Sequence, residues 1–239
     1  MKKLRAFVIS WCLLAGLAAC SGIKGEGPVI TQNRSVDSFE GIEVANDVEV
    51  YLSQGDERSV RVEGQKNILD ILETDVRSDM LKISYGRHNV RRHEPVRVHI
   101  TNPQLEAVKV SGSSKVISKT KWRLDDQDFE TNISGSGKLT LELLDADEIE
   151  SSISGSGDMI LRGDCSHFEL TISGSGDVKA FDMTAKIAKI SVSGSGSCQI
   201  TVQKELDTRI SGSGSVRYKG DPKTINTSVT GSGRAIRED

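Results

Sequence analysis

Aromatic side chains are scarce in this sequence of 239 residues: two Trp, three Tyr and five Phe make up 4% of it. That weakens the case for a sugar-binding module built on aromatic platforms. Cysteine is nearly as rare. Of four in the chain, only Cys165 and Cys198 lie beyond residue 20, too few for a small disulfide-built scaffold. There is no basic excess, since 31 Lys and Arg face 34 Asp and Glu for a net charge of −3, which excludes a broadly basic nucleic-acid binder. Beyond the N-terminus no run of about 18 apolar residues occurs, so no helical membrane span is expected in the body. Hydrophobic residues are 36% of the chain and regularly spaced, which excludes wholesale disorder.

What is present begins with an address. Met1 to Arg5 is basic, Ala6 to Leu17 is apolar, and Leu17-Ala18-Ala19-Cys20 follows. This is the layout of a secretory leader, and its end resembles a bacterial lipobox. Such signals imply cleavage before Cys20 and acylation of that residue, with residues 1–19 removed. Each acyl CH₂ contributes roughly 0.8 kcal/mol on burial, so several chains on one residue hold lastingly. Ser21 in place of Asp resembles signals that send lipoproteins to the outer membrane of a diderm bacterium, facing the periplasm or the cell surface. Residues 20–28 read as a lipidated, flexible tether. Losing Lys2, Lys3 and Arg5 takes the net charge from −3 to −6, so the lipid and not the charge of the body does the anchoring.

Internal repetition sets the fold. Ser-Gly-Ser-Gly starts at residues 134, 154, 173, 193 and 211, with SGSS at 111 and TGSG at 230; the spacings are 23, 20, 19, 20, 18 and 19. The flanks separate these units from a flexible Ser/Gly linker. A β-branched residue precedes every motif: Val110, Ile133, Ile153, Ile172, Val192, Ile210 and Val229. Five residues after each motif start stand Val116, Leu139, Met159, Val178, Cys198, Val216 and Ala235, and two further on Leu141, Leu161, Ala180, Ile200 and Tyr218. Apolar residues two apart share one face of a strand. A unit of about 20 residues cannot bury that face alone and must stack on its neighbours. The pattern predicts an all-β fold, a parallel β-helix-like solenoid of 18–20 residues per coil, with right-handed crossovers and coils about 4.8 Å apart. At each corner Gly, for example Gly176, is expected to supply positive φ, and Ser hydroxyls to bond from coil to coil.

Residues 29–105 lack the tetrapeptide yet alternate at Ile42-Glu43-Val44, Val48 to Leu52, Leu81-Lys82-Ile83 and Val96 to Ile100. Ala45-Asn46-Asp47 reads as a degenerate corner, and Asn67 to Glu73 as one or two helical turns. The expected organisation is one solenoid over 29–238, with 29–105 as irregular first coils and a cap and 106–238 as the repeats. A joint near Thr101-Asn102-Pro103 between two domains is the alternative. The run Phe39 to Val44, continued by Val48 to Gly55 and by the serial SGSG units, resembles the putative auto-transporter adhesin, head GIN domain family over about residues 30–238. That resemblance implies β-helical envelope lipoproteins with adhesion as the family label and no assigned ligand, and it carries over no catalytic or binding residues.

Candidate chemistry is sparse. Cys165 falls in the polar return and Cys198 in an apolar column two coils away, about 9–10 Å by stacking, beyond disulfide reach; both are expected to be free. The one concentrated basic patch holds Arg87, His88, Arg91, Arg92 and His93, a candidate contact for an acidic glycan, at a spacing that matches no zinc signature. Asp125 to Asp128 and Asp145 to Glu148 match no calcium loop and read as a solvated face. No nucleophile elbow or singled-out carboxylate pair occurs. The sequence therefore predicts a non-enzymatic envelope lipoprotein without cofactor or bound metal. Its expected partners are the membrane, through its lipid, and a glycan or an envelope or host surface protein; nucleic acid is not among them. A carbohydrate-binding or carbohydrate-active solenoid acting on acidic glycans is the alternative.

Overall fold

The structure, a computed structural model, describes residues 22–239; the leader and Cys20 lie outside them. The strands are β1 (Val29–Arg34), β2 (Gly41–Val44), β3 (Glu49–Gln54) and β4 (Ser59–Gln65), then helix α1 (Lys66–Leu69), then β5 (Glu73–Arg77), β6 (Met80–Ser84), β7 (Arg97–Asn102), β8 (Ala107–Gly112) and β9 (Lys115–Ser118). They continue as β10 (Trp122–Arg123), β11 (Phe129–Gly135), β12 (Lys138–Gly155), β13 (Asp158–Gly174), β14 (Asp177–Gly194), β15 (Ser197–Gly212), β16 (Ser215–Lys219), β17 (Thr224–Gly231) and β18 (Arg234–Arg237).

From β8 onward the stack is parallel and follows the sequence. Repeats pair position for position, so that Ile133 meets Ile153, Ile153 meets Ile172, Ile172 meets Val192 and Val192 meets Ile210. The column after the corner runs Val116, Leu139, Met159, Val178, Cys198 and Val216, all essentially inaccessible. Period-2 alternation puts these side chains inside, and parallel registry lays like on like. Each fully buried aliphatic contributes about 1.5–3 kcal/mol. Polar groups also enter the core. Thr131 Oγ1 donates to Ser151 Oγ at 2.9 Å, and buried Thr208 Oγ1 donates to Thr227 Oγ1 on the exposed strand β17 at 3.0 Å, so the buried hydroxyls of this column find partners one coil on.

The N-terminal coils stack out of order. β2 lies between β6 and β8, and β3 between β7 and β9, all parallel. The first coil in sequence is thus clasped between later ones. Beyond β6 and β7 the direction reverses: β5 pairs antiparallel with β6, β4 with β7, and β1 with β4. Helix α1 is shorter than the segment read as helical, because β5 already begins at Glu73; it buries Ile68 and Leu69. At the end of β7, Asn102 is buried and donates to the Phe39 carbonyl at 3.1 Å, while Arg58 Nε donates to its Oδ1 at 2.7 Å. At the other end of the stack β17 is exposed throughout, with inward-facing Ile225 and Val229 at 45% and 40% exposure.

Corners depart from expectation in two ways. Positive φ belongs to the first Gly of each tetrapeptide, 111° at Gly135 and 126° at Gly174, and Gly176 is not among the positive-φ residues. Gly176 is required by crowding: a Cβ there would stand 2.6 Å from Ile153 Cγ2 and 2.9 Å from the Gly157 carbonyl. The corner ladder is also made by backbone in place of hydroxyls, with Ser156 N donating to Gly135 O, Ser175 N to Gly155 O and Ser195 N to Gly174 O at 2.8–2.9 Å. Asn46 is the degenerate corner. It holds φ 76°, close to the 70° of Gly112 one coil on, and its carbonyl accepts from Ser113 N. Asn tolerates that left-handed region, whereas the later corners lie beyond it, where only Gly is unstrained.

Candidate functional site

In the coil formed by β6 and β7 the tight corner is replaced by a longer loop, residues 85–96, which holds the basic patch. Its base is fixed. Tyr85 N donates to Asn46 Oδ1 at 3.0 Å, and the Tyr85 ring meets His93 edge-on at 5.7 Å. Burial, then the Asp47 carboxylate, pushes the Tyr85 phenol far above its usual range. His93 faces this base: only 7% of its side chain is exposed, with Nδ1 2.7 Å from the Glu94 carbonyl and Nε2 3.1 Å from Asp47 Oδ2. Of the five residues in the patch, His93 is therefore spent on holding the corner. Arg87, His88, Arg91 and Arg92 remain exposed together.

Residues 22–28, read as a flexible tether, are packed onto this loop. Ile23 forms a parallel bridge with Val90, with Ile23 N donating to Asn89 O at 2.8 Å and Arg91 N to Ile23 O at 2.7 Å. Gly25 N donates to Arg92 O, and the side chains of Asn67 and Gln65 bond the backbone at Lys24, Glu26 and Gly27. The signal for this docking was weak, a lone Ile in a glycine-rich stretch.

The serines form the second candidate surface. Ser134, Ser154, Ser173, Ser193 and Ser211 make one exposed row, and Ser136, Ser156, Ser175, Ser195 and Ser213 another. Adjacent rungs stand about 4.8 Å apart, two files of hydroxyls along one edge.

The two acidic stretches lie on adjacent coils: Asp126 N donates to Asp145 O at 2.8 Å and Asp147 N to Gln127 O at 3.1 Å. Asp145 also takes Arg123 as an ion-pair partner. Cys198 sits in its predicted column. Cys165 does not lie in a polar return; it is 4% exposed, between Ala146 and Ala185 of the neighbouring coils. Both thiols are free. Burial, aided by Asp164 and opposed by Lys186, pushes the Cys165 thiol up to about 12, and burial alone raises Cys198 well above the usual thiol range.

A family sequence model described as "Putative auto-transporter adhesin, head GIN domain" matches residues 38–222. Among solved structures, one of a putative adhesin from Bacteroides fragilis superposes with TM-score 0.78 at 22% identity, covering 91% of this chain and all of that one. One of a putative lipid binding protein from Parabacteroides distasonis gives 0.73 at 23% identity, covering 92% and 100%. One of a putative adhesin from Parabacteroides merdae gives 0.69 at 24%, covering 91% and 99%. At these identities the likeness shows the fold. No curated protein matches the chain.

Proposed function

The chain belongs to the auto-transporter adhesin, head GIN domain family, and from that premise we propose that it is a non-enzymatic cell-envelope lipoprotein, held by acyl chains on Cys20 in the outer membrane, whose rod serves as an adhesive scaffold. The observation that carries this reading is the double file of exposed serine hydroxyls along one corner edge. Each hydroxyl contact is weak alone. A file of them on a stiff stack acts with high effective concentration, so affinity rises steeply with the number of rungs engaged. The neighbours described as adhesins agree with this use, and the Parabacteroides distasonis neighbour described as lipid binding agrees with life at a membrane.

Two measurements test the proposal. Cys20→Ser should move the protein from the membrane pellet to the soluble fraction. Beads bearing the full acylated chain, run over arrays of neutral and acidic glycans and envelope proteins, should lose retention disproportionately as Ser156, Ser175 and Ser195 are changed to Glu one after another. Retention that falls in equal small steps, or not at all, removes the serine files from the mechanism. Turnover of an acidic polysaccharide that is abolished by Arg91→Ala and Arg92→Ala would establish the carbohydrate-active alternative.

A further inference from the structure

Charged side chains on this surface are widely paired, and many pairs link one coil to the next: Lys82–Glu43, Arg97–Glu49, Lys109–Glu130, Lys138–Asp158 and Lys189–Glu169. Cations without an ion pair among the described residues also occur singly along the stack, at Lys115, Lys179, Lys204 and Arg234, but the loop on β6 and β7 groups several in one short segment. Lys24, Arg87, Arg91 and Arg92 are exposed and make no ion pair among the described residues. Carboxylates occur on the same segments at Glu26 and Glu94, and Glu73 lies beside Gly86, yet none of them closes on these cations.

The same loop grips the chain just after the lipidation site. The Ile23–Val90 bridge fixes the N-terminal segment to it, and Gly22 lies so close to the Arg91 stem that a Cβ would stand 2.7 Å from Cγ. Cys20 is two residues before Gly22. At no more than about 3.6 Å per residue, its Cα lies within about 7 Å of Gly22. An acylated Cys20 therefore brings this loop to the bilayer surface whatever path those residues take.

We propose that the loop is a foot: Arg87, Arg91 and Arg92, with Lys24, bind phosphate groups of the lipid surface into which the Cys20 acyl chains insert. The reversed strands at the N-terminal end of the stack are held toward the bilayer, and the open edge at β17 points away. Guanidinium forks suit phosphate oxygens. The acidity of the whole body does not oppose this, because charges more than about 8–10 Å away are screened at physiological salt. Each arginine near an anionic surface strengthens docking about fivefold. The inference rests on the lipoprotein reading but is separable from it.

The test uses the full acylated protein, reconstituted in vesicles of phosphatidylethanolamine with or without phosphatidylglycerol. A single fluorophore is placed at Asn89→Cys on the loop or at Ser232→Cys on the far corner, and a quencher is carried on the lipid headgroups. The buried Cys165 and Cys198 do not compete for label. We expect the Asn89 probe to be quenched several-fold more than the Ser232 probe with phosphatidylglycerol present. The difference should shrink in 1 M salt, and the triple variant Arg87→Ala, Arg91→Ala, Arg92→Ala should bring it down to the phosphatidylethanolamine level without a change in Tm. Vesicles with lipid A in place of phosphatidylglycerol identify which leaflet supplies the phosphate, and a response to either supports the foot. Equal quenching at the two positions, or quenching indifferent to the arginines, overturns it. So does unchanged quenching in a triple variant that has lost binding to a soluble acidic polysaccharide, which would make the loop a glycan site. Palmitate labelling lost in Cys20→Ser reports the anchor independently: label without loop quenching sinks the foot alone, and no label in the wild type sinks the anchor and the foot together.

Discussion

From Phe129 to Gly231 each coil rests on its predecessor in sequence; between Gly41 and Ser118 the coil of β2 and β3 is clasped by coils that come later. The corners differ along with the order. From Gly135 onward the repeats turn on Gly at φ 111–126°, whereas the earlier corners turn on Asn46 at 76°, on Gly112 at 70° and on an open loop. A strict repeat propagates one geometry and demands one residue type at its bend. An irregular start can use softer bends and reversed strands, and it ends the stack on antiparallel β4 and β1 in place of a bare parallel edge. The open end at β17 has no such ending, and Ile225 and Val229 stay exposed there.

The sharpest way to break this contrast is Gly174→Val. Its φ of 126° strains any side chain, and the added Cβ would stand 2.4 Å from the Gly155 carbonyl; strain and overpacking together should cost about 4 kcal/mol. Calorimetry showing an unshifted Tm would mean that the corner relaxes freely. Next in size, Ile190→Ala in the closed column should cost about 3 kcal/mol, whereas Val229→Ala at the open edge should cost only about 0.5 kcal/mol. Equal losses in urea titration would mean that the C-terminal edge is covered in solution. Asn46→Gly should lose about 1 kcal/mol, because it gives up the bond from Tyr85 N but keeps the bend. A loss as large as that of Gly174→Val would erase the difference between the two kinds of corner.

The smallest effect is one of pH. Burial holds the Cys165 thiol protonated up to about 12, while an unfolded thiol ionises near about 8.5. Above that lower value the unfolded chain releases a proton that the folded chain keeps. The contribution to stability is therefore complete below about pH 8.5 and is lost as pH climbs toward 12. Cys198 acts in the same direction. Because Ala146 and Ala185 already flank Cys165 in its column, Cys165→Ala should fold and should flatten the fall of Tm between pH 9 and 11. An unaltered slope would show that this thiol does not carry the effect.

Legibility followed the length of the interaction that decides each feature. The two apolar columns and the corner positions were readable because alternation along a strand is local and the repeats restate it. Gly176 departs from its expected role, since sequence reveals that glycine is needed but not whether φ or a neighbouring coil requires it. Cys165 reads as polar from its place in the return, among Asp164, Ser166 and His167, yet a bend at Gly163 turns it inward between two alanines. At the candidate site, the basic patch was found by composition alone. The inward turn of His93 toward Asp47, 46 residues earlier, was not.

The sequence by itself determined the all-β class, the 18–20-residue coil, the inward columns and the serine edge, because period-2 patterning and a recurrent Gly bend act within one unit and its nearest copy. Only the tertiary structure decided the interleaved order of the early coils, the reversed strands at the N-terminal end, and the docking of residues 22–28 on the basic loop. Those depend on which free strand edge meets which, through backbone hydrogen bonds that any residue can make, and such bonds leave almost no mark on the residues that form them.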